Sequence, residues 1–388
     1  MTRLIIALVL TLQAGSALAL QNIKLAGVDI TPVVSSQEKY DSNIYLTRDD
    51  VKASLYNRSL AGLGLRKEGA RLSVNGGYSV EGLFYTRDHR INDAVHHNAN
   101  AAVKMQLAGG RTLTADDRYT ATTDQATSEY TARAKRVQNN ANLAFESPLK
   151  GKFGFGVDAQ HIINDYLSSN YKTLDRDEII AGAEMNYKLQ PKTKLFLAYH
   201  FGSLKYKERA LVGANDAVYS NVDMGLSGNL GSKLTGRIMG GIQSRVYRKD
   251  LGTASNSRTT GSYGAQINWK PLAKTEVVLY GKRANVESIY SNSRYYVSTL
   301  NDLSVSRELN KFKAGLGGSY EAIRYVEEVP GENAKRRDSN WSGRTTLEYN
   351  IQKWLKAGAA YTYRSRVSSY RNSNYVDNVT TLELKGMF

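Results

Sequence analysis

Few residues in this chain have a type and spacing that could do acid–base or metal chemistry. The five histidines are His89, His96, His97, His161 and His200. The adjacent pair His96 and His97 would point to opposite faces of a strand, so the two rings could not bind one metal ion together. The chain has no cysteine, which excludes a thiol nucleophile, a thiolate ligand and a disulfide. We interpret the histidines as ordinary polar residues at strand ends.

Two acidic pairs, Asp49–Asp50 and Asp116–Asp117, are the candidates for paired-carboxylate catalysis. General acid–base work requires a defined geometry around a substrate, and no spacing here predicts one. Acidic pairs near turns are usually solvated. The sequence contains neither a Gly-x-Ser-x-Gly elbow nor a Walker-type phosphate loop. We therefore expect no enzymatic activity and no cofactor.

The elements that would position any functional side chain alternate with a period of two. From Trp341 to Ile351, apolar, aromatic or small side chains alternate with more polar ones. The same period recurs in residues 195–201, 222–227, 234–243, 263–270, 312–321 and 355–364. An amphipathic helix would instead repeat about every 3.6 residues. The pattern therefore predicts an all-β chain.

Eighteen strands fit the chain, separated by connections that alternate between short turns and longer polar stretches. Three of the five prolines, Pro148, Pro191 and Pro271, fall in short turns, where a missing N–H breaks no ladder bond. The first, fifth and fourteenth strands alternate poorly, and Asn301 would lie on an apolar face, so sixteen strands remain an alternative. The predicted strands are residues 27–39, 52–66, 70–85, 95–108, 111–121, 137–147, 151–166, 177–189, 193–207, 218–230, 233–248, 259–270, 274–290, 295–309, 311–325, 339–352, 354–366 and 376–388.

A membrane barrel accounts for these strands better than a soluble fold. No run of ~20 apolar residues follows residue 20, which excludes a bundle of membrane-spanning helices. A soluble barrel of this size could not fill its interior with side chains. If the apolar side chains face lipid, they avoid contact with water. The closed barrel then leaves no strand edge unpaired, and the polar side chains line a water-filled interior. We predict an antiparallel up-and-down transmembrane β-barrel.

The first residues of the chain predict export. Arg3 supplies a positive charge, residues 4–12 are apolar apart from Thr11, and Ala17 and Ala19 place small residues before a cleavage site. This pattern is typical of a secretory signal peptide cleaved after Ala19. We predict that residues 1–19 are the signal peptide and that residues 20–388 form a single barrel domain in the outer membrane of a Gram-negative cell.

Aromatic residues at strand ends indicate contact with the two membrane–water interfaces. Trp269 and Trp354 lie beside short turns, and Tyr85 and Tyr166 lie near the opposite strand ends, as interfacial girdles require. The last strand resembles the assembly signal of Gram-negative outer-membrane barrels, which implies folding by the barrel assembly machinery. The residues that carry this resemblance are Leu382, Leu384, Gly386 and Phe388.

The chain is strongly basic, with 52 Lys and Arg against 36 Asp and Glu and a net charge of +16. Basic residues near the long loops could bind phosphates of the outer lipopolysaccharide leaflet, or could steer an anionic polymer or solute. A nucleic acid partner is not expected on a cell surface. Charges of both signs are predicted to line the lumen, which suits a polar cargo such as a sugar. These residues are Arg71, Glu81, Asp158, Glu184, Asp223, Arg237, Glu321, Arg344, Glu348 and Lys356.

A short segment after the first strand resembles a known family. Residues 40–46, Tyr-Asp-Ser-Asn-Ile-Tyr-Leu, resemble the stretch at this place in the β-barrel porin family encoded among bacterial exopolysaccharide synthesis genes. The resemblance implies an outer-membrane conduit for polysaccharide secretion that works with a periplasmic polysaccharide export protein. It implies no catalytic residues.

Two other functions remain open. The chain could be a general or solute-selective diffusion porin, or a surface structural or adhesion barrel with a closed lumen. The width of the lumen separates the first two functions from the third. We expect the polysaccharide conduit, surrounded by outer-membrane lipid and lipopolysaccharide.

Overall fold

The structure of the chain, a computed structural model, describes residues 23–388 apart from residues 130, 150, 209–214, 249–255, 289–292 and 329–333. The predicted signal peptide, residues 1–19, lies outside the described residues. No helix in the described part of the chain is long and apolar enough to span a membrane. A short helix, α1 (His89–Asn92), and 3-10 turns at Ala108–Gly110, Ser169–Leu174 and Arg371–Ser373 lie in connections.

Within the described residues, nineteen strands form a single sheet. Their bounds are β1 (Ile23–Leu25), β2 (Val28–Asp41), β3 (Ser54–Glu68), β4 (Leu72–Tyr85), β5 (Ala94–Gln106), β6 (Thr112–Thr122), β7 (Arg136–Pro148), β8 (Phe153–Tyr166), β9 (Arg176–Gln190), β10 (Thr193–Tyr206), β11 (Ala217–Gly231), β12 (Leu234–Tyr247), β13 (Ser257–Leu272), β14 (Thr275–Glu287), β15 (Tyr295–Leu309), β16 (Phe312–Tyr325), β17 (Arg337–Asn350), β18 (Leu355–Ser368) and β19 (Tyr375–Met387). Most of these bounds fall within two residues of the prediction, because the period of two persists through each strand.

The strands from β2 to β19 form a closed antiparallel barrel. Each strand pairs with its neighbours in the chain, and β19 closes on β2 in a register that runs from Val379↔Asp41 to Met387↔Val33. Eighteen strands complete the wall, so the predicted number is confirmed and the alternative of sixteen is wrong. A closed ladder leaves no strand edge exposed, which is the condition for β-structure within a bilayer.

The sequence pattern did not predict β1. This strand pairs with the start of β2, with Ile23 opposite Ile30. The turn between them is formed by Ala26 and Gly27, whose φ angles are 50° and 77°. Two-residue hairpin turns of type I′ have positive φ at both central positions. A strand of three residues is too short to show alternation, so its prediction would have required recognition of the turn.

The connections alternate in length around the barrel. Short turns such as residues 191–192, 232–233 and 273–274 lie at one end, and longer connections such as residues 42–53 and 123–135 lie at the other. Barrels of the outer membrane have short periplasmic turns and longer external loops. We therefore assign the end with the long loops as the external mouth.

The outward face of the wall is apolar, as the alternation predicts. Leu197, Ile238 and Leu347 are roughly half exposed on it. The prediction that Asn301 shares this face is confirmed, and the Tyr263 hydroxyl donates to its Oδ1 at 3.0 Å. Unpaired polar groups are costly in hydrocarbon, so this hydrogen bond explains how the wall tolerates an amide there.

Asp116 and Asp117 do not lie near a turn, contrary to the sequence interpretation. They occupy the middle of β6, where adjacent side chains point to opposite faces. Asn142 donates to Asp116 at 2.8 Å on the inner side, and Asn139 donates to Asp117 at 2.6 Å on the outer side. The two carboxylates therefore cannot act together on one substrate.

Two of the four aromatic residues predicted at the interfaces lie inside the barrel. Trp269 and Trp354 are exposed beside short turns. Tyr85 instead stacks on Tyr56, with ring centroids 4.4 Å apart, and Tyr166 packs into a buried cluster. The prediction for Tyr85 and Tyr166 is wrong. A tyrosine at a strand end can belong to an outer girdle or to an inner cluster, and the face of the strand that it occupies decides which.

Candidate functional site

A long connection folds into the barrel near the external mouth. This inner loop, residues 123–135, joins β6 to β7. At its base, the backbone N–H of Thr123 donates to His96 Nε2 at 3.0 Å. The next residue, Asp124, forms an ion pair with Arg58 on β3 at 3.2 Å. The loop therefore begins with contacts to the inner wall.

His96 anchors the loop rather than forming a metal site with its neighbours. Because Nε2 accepts the N–H of Thr123, Nδ1 carries the hydrogen and faces Glu81 Oε2 at 3.5 Å. Glu81 also accepts a hydrogen bond from Arg58 at 2.6 Å. Within the described residues, no group of three or more His, Asp or Glu side chains could hold a metal ion.

The tip of the inner loop reaches the opposite wall. The Glu129 carboxylate accepts hydrogen bonds from the hydroxyls of Ser288 and Tyr325, both at 2.8 Å, and Arg366 donates to the carbonyl oxygen of Ser128. Tyr325 lies on β16, about half of the barrel circumference away from β6 and β7, and Arg366 lies on β18, more than a third of the circumference away. The inner loop therefore spans the lumen.

Buried aromatic rings line the mouth around the loop tip. One cluster contains Tyr296, Ile323, Tyr325 and Tyr370, and another contains Ala217, Tyr247, Tyr295 and Val297. Guanidinium groups lie over these rings, as shown by Arg336, which is 5.3 Å from the centre of Tyr325 and 5.5 Å from that of Tyr370. Such contacts combine cation–π attraction with packing of the side-chain stem.

The buried guanidinium groups at the mouth are also paired with carboxylates. Arg336 donates to Asp338 through both Nε and Nη2, at 2.9 and 2.7 Å, and Arg245 forms an ion pair with Glu287. Burying a charge away from water is costly unless an opposite charge lies beside it. Each carboxylate therefore offsets the cost of burying its arginine. The wall near the mouth thus presents aromatic faces beside balanced charges.

Two large cavities lie within the barrel. The first cavity has a volume of about 740 Å³ and is lined by β2, β3, β4, the inner loop and the strands from β15 to β19. The second cavity has a volume of about 720 Å³ and is lined by the strands from β7 to β14. They lie on opposite sides of the lumen, which is the division expected of a loop that crosses it.

Several residues predicted to line the lumen occur as pairs of opposite charge. Arg237 forms an ion pair with Glu184 at 2.7 Å, and Lys356 forms one with Glu348 at 2.9 Å. Arg237 lies on β12 and Glu184 on β9, so their side chains meet across the inner surface rather than between adjacent strands. These pairs make the wall polar while cancelling much of its local charge.

The other predicted residues are placed as follows. Asp158 lies 3.4 Å from His200, and Asp223 accepts a hydrogen bond from Ser262 at 3.2 Å; both carboxylates line the second cavity. Glu321 accepts hydrogen bonds from Ser298 at 2.5 Å and Asn340 at 3.0 Å. Arg344 lines the first cavity, whereas Arg71 lies in the turn between β3 and β4 and lines neither cavity.

The segment that carried the family resemblance ties the barrel seam together. Asn43 is fully buried in the loop after β2, and its Nδ2 donates to the carbonyl oxygens of Thr47 at 2.7 Å and Val376 at 3.1 Å. Val376 belongs to β19, the strand that closes the barrel on β2. Ile44 and Leu46 are buried and line the first cavity. The motif therefore fixes a loop against the seam.

The final residues hold the other end of the seam. The N–H of Phe388 donates to the carbonyl oxygen of Pro32 at 3.0 Å, and its ring stacks on Trp354 with centroids 5.3 Å apart. A Cβ at Gly386 would lie 3.1 Å from the Phe388 ring, so this glycine makes room for it. Leu382 and Leu384 occupy the two alternate positions of β19 before Gly386, and Leu382 is exposed on the outer face.

Replacing Phe388 with leucine should destabilise the folded barrel by about 0.5–1.5 kcal/mol, since leucine keeps an apolar contact but loses the aromatic pair with Trp354. The free energy of unfolding can be measured by urea titration of protein folded into lipid vesicles. Met387→Leu, which leaves the aromatic pair intact, is the control. Equal losses for the two variants would contradict a role for the stack.

Sequence reasoning missed the residues that span the lumen. Residues 122–136 are one of the longer polar stretches of the sequence, but nothing in their composition indicates whether the stretch lies outside or inside the barrel. Its density of charged residues, Asp124, Glu129, Arg133, Lys135 and Arg136, is the available signal. The partners Arg58, Tyr325 and Arg366 lie far away in the chain, so only the closed barrel brings them together.

A closed eighteen-strand barrel whose external loop folds into the lumen has the architecture of a porin-like channel. The chain belongs to the family described as putative beta-barrel porin 2, whose model matches residues 29–388. The family membership that residues 40–46 indicated is thereby confirmed. No curated protein is similar enough in sequence to be matched with the chain.

Solved structures that resemble the chain share little sequence with it. The outer membrane protein OpdK of Pseudomonas aeruginosa shares 9% sequence identity, with a TM-score of 0.47 over 93% of this chain and 99% of its own. OccK3 of the same organism shares 15%, with a TM-score of 0.46 over 92% and 95%. The FrpB iron transporter of Neisseria meningitidis shares 10%, with a TM-score of 0.43 over 92% and 81%.

Proposed function

We propose that the chain is an outer-membrane channel that passes a polar polysaccharide, an exopolysaccharide by the family resemblance, and that the inner loop closes its lumen at rest. The observation that carries this proposal is the chemistry of the mouth, where aromatic faces lie beside paired charges around a loop that spans the pore. We assign no catalytic role to the chain.

Sugars match such a surface. A sugar ring has an apolar face of C–H groups that can pack on a tyrosine ring, and an edge of hydroxyls that exchange hydrogen bonds with carboxylates, guanidinium groups and amides. Balanced pairs such as Arg237 with Glu184 provide these hydrogen bonds without a strong net field at that point. A polar polymer could therefore slide past these pairs without being held by a strong local field.

The location and partners follow from the same proposal. Residues 1–19 would direct export and be removed, the barrel assembly machinery would fold residues 20–388 into the outer membrane, and basic residues near the long loops would contact lipopolysaccharide phosphates. The short turns would face a periplasmic polysaccharide export protein, which delivers the polymer.

The second candidate is a solute-selective diffusion porin. It is favoured by the division of the lumen into two cavities of about 740 and 720 Å³, volumes in the range of sites for small molecules. Under this alternative the inner loop would act as a permanent selectivity barrier. An adhesion barrel with a closed lumen is the third candidate, and it predicts no conductance even after the loop is deleted.

Deleting the gene should abolish most secreted polysaccharide, and expression of the intact chain should restore it. The measurement is the amount of extracellular polymer per cell, together with uptake of small sugars. Unchanged secretion combined with lost uptake would contradict the polymer channel and favour the diffusion porin. The absence of any conductance in planar bilayers after loop deletion would contradict both.

A further inference from the structure

The first cavity contains three cations that no contact with a described residue neutralises, Lys39, Lys313 and Arg344. Lys39 on β2 and Arg344 on β17 both line it, and neither forms an ion pair or a hydrogen bond with any described residue. Three other cations of this cavity have partners: Arg58 is paired with Glu81 and Asp124, Arg364 is paired with Asp377, and Arg133 donates to Thr123 and lies over the Tyr85 ring. Lys313 lies opposite Glu348 in the strand register, whereas the register partners of Lys39 and Arg344 carry no charge, so these two positive charges are available to a ligand.

The wall between these two cations is made of small and hydroxyl-bearing residues. In the strand register, Lys39 lies opposite Thr381, Thr381 opposite Ala360, and Ala360 opposite Thr346. Arg344 comes two residues before Thr346 on the same face of β17. Three strand spacings separate β2 from β17, roughly 14 Å along the wall, and the curvature of the barrel turns both side chains towards the lumen.

This arrangement provides both room and hydrogen-bonding groups. The short side chains leave open space above the wall, and threonine hydroxyls can donate to or accept from the hydroxyls of a sugar. On the far side of Lys39, its register partner Tyr56 stacks on Tyr85 and adds an aromatic surface. Cations at the two edges of a polar, hydroxyl-rich floor suit a sugar that carries a carboxylate.

The second cavity has a different balance. Its arginines Arg237 and Arg245 are paired with Glu184 and Glu287. Its unpaired cation, Lys282, shares the cavity with the carboxylates of Asp158 and Asp223. The first cavity also has carboxylates, but Asp41, Asp124 and Glu348 are in ion pairs with Arg364, Arg58 and Lys356, and Glu383 accepts a hydrogen bond from Gln37. An acidic ligand would therefore meet more uncompensated negative charge in the second cavity. The two halves of the lumen differ in the sign of the charge they leave available.

We propose that Lys39 and Arg344 form a subsite for the carboxylate of an acidic sugar unit, so that the transported polysaccharide contains uronic acid residues. This inference rests on the proposed function and adds the class of polymer. It also revises the picture of a lumen that is balanced throughout, because Arg344 is a free cation whereas the predicted lumen residues Arg237 and Lys356 are not.

Calorimetric titration of the intact folded protein in detergent, with hexagalacturonate and maltohexaose as probes, tests the subsite. Hexagalacturonate should bind more tightly than the neutral oligomer, and Lys39→Gln and Arg344→Gln should each weaken its binding about tenfold, the effect of one charge-assisted hydrogen bond. Lys39→Arg and Arg344→Lys should retain most of the affinity.

Lys282→Gln is the matched control, since it removes one unpaired cation from the other cavity. Equal affinity for the two oligomers, no binding of either, or an equal loss in the Lys282 variant would overturn the subsite. The proposed function is judged separately by conductance and secretion. If the chain conducts and restores secretion but shows no preference for the uronate, the subsite is wrong and the channel stands.

Discussion

Replacing Leu347 with arginine should destabilise the inserted barrel by about 2–4 kcal/mol, the cost of a basic side chain facing lipid near the bilayer midplane. Leu347 lies in the middle of β17, opposite Ala314 and Ala359, and is 47% exposed on the outer face. The free energy of unfolding, measured by urea titration of protein folded in lipid vesicles, reports the loss. The fraction of protein that inserts should fall as well.

Thr346→Arg is the matched control, because it places the same side chain one residue away. Thr346 lines the first cavity, where an arginine can reach water and the Glu348 carboxylate region. Its free energy of unfolding should change little. Equal losses for the two variants would mean that hydrocarbon does not contact the outer face, and the membrane assignment would fail.

Much of the fold could be predicted because a barrel wall imposes one strict rule. Every strand must present lipid on one side and water on the other, and a slip of one residue would exchange the two faces. The positions of apolar residues such as Ile238 and Leu347 therefore show which residues of each strand face lipid. The rule weakens where lipid ends, which explains why Tyr85 and Tyr166, near the mouth, were assigned to the wrong side of the wall.

The site was harder to predict than the fold, because its contacts join distant parts of the chain. The alternation of side chains along the strands indicated that Glu184 and Arg237 would face the lumen. It did not indicate that these side chains would meet across two intervening strands. The alternation also could not distinguish Arg344, which forms no ion pair with a described residue, from Arg364, which pairs with Asp377. Only the curvature of the closed barrel determines which charges reach one another.

Replacing Glu129 with alanine should release the inner loop and increase channel conductance. The carboxylate is 5% exposed and accepts hydrogen bonds from Ser288 and Tyr325. Buried donors left without their acceptor cost about 1–3 kcal/mol, which raises the population of released loops roughly tenfold if the closed state loses 1.4 kcal/mol. Single-channel recordings in planar bilayers should show a larger open fraction.

Glu208→Ala is the control, since it removes a carboxylate from an exposed position beside β10 at the same end of the barrel. It changes the net charge equally but leaves the loop contacts intact, so its conductance should match that of the unmodified chain. A deletion within the inner loop should produce the largest conductance, because it removes the crossing segment itself. If Glu129→Ala and the deletion both conduct no better than the unmodified chain, the loop is not the barrier, and closure must lie in the tyrosine clusters that remain at the mouth.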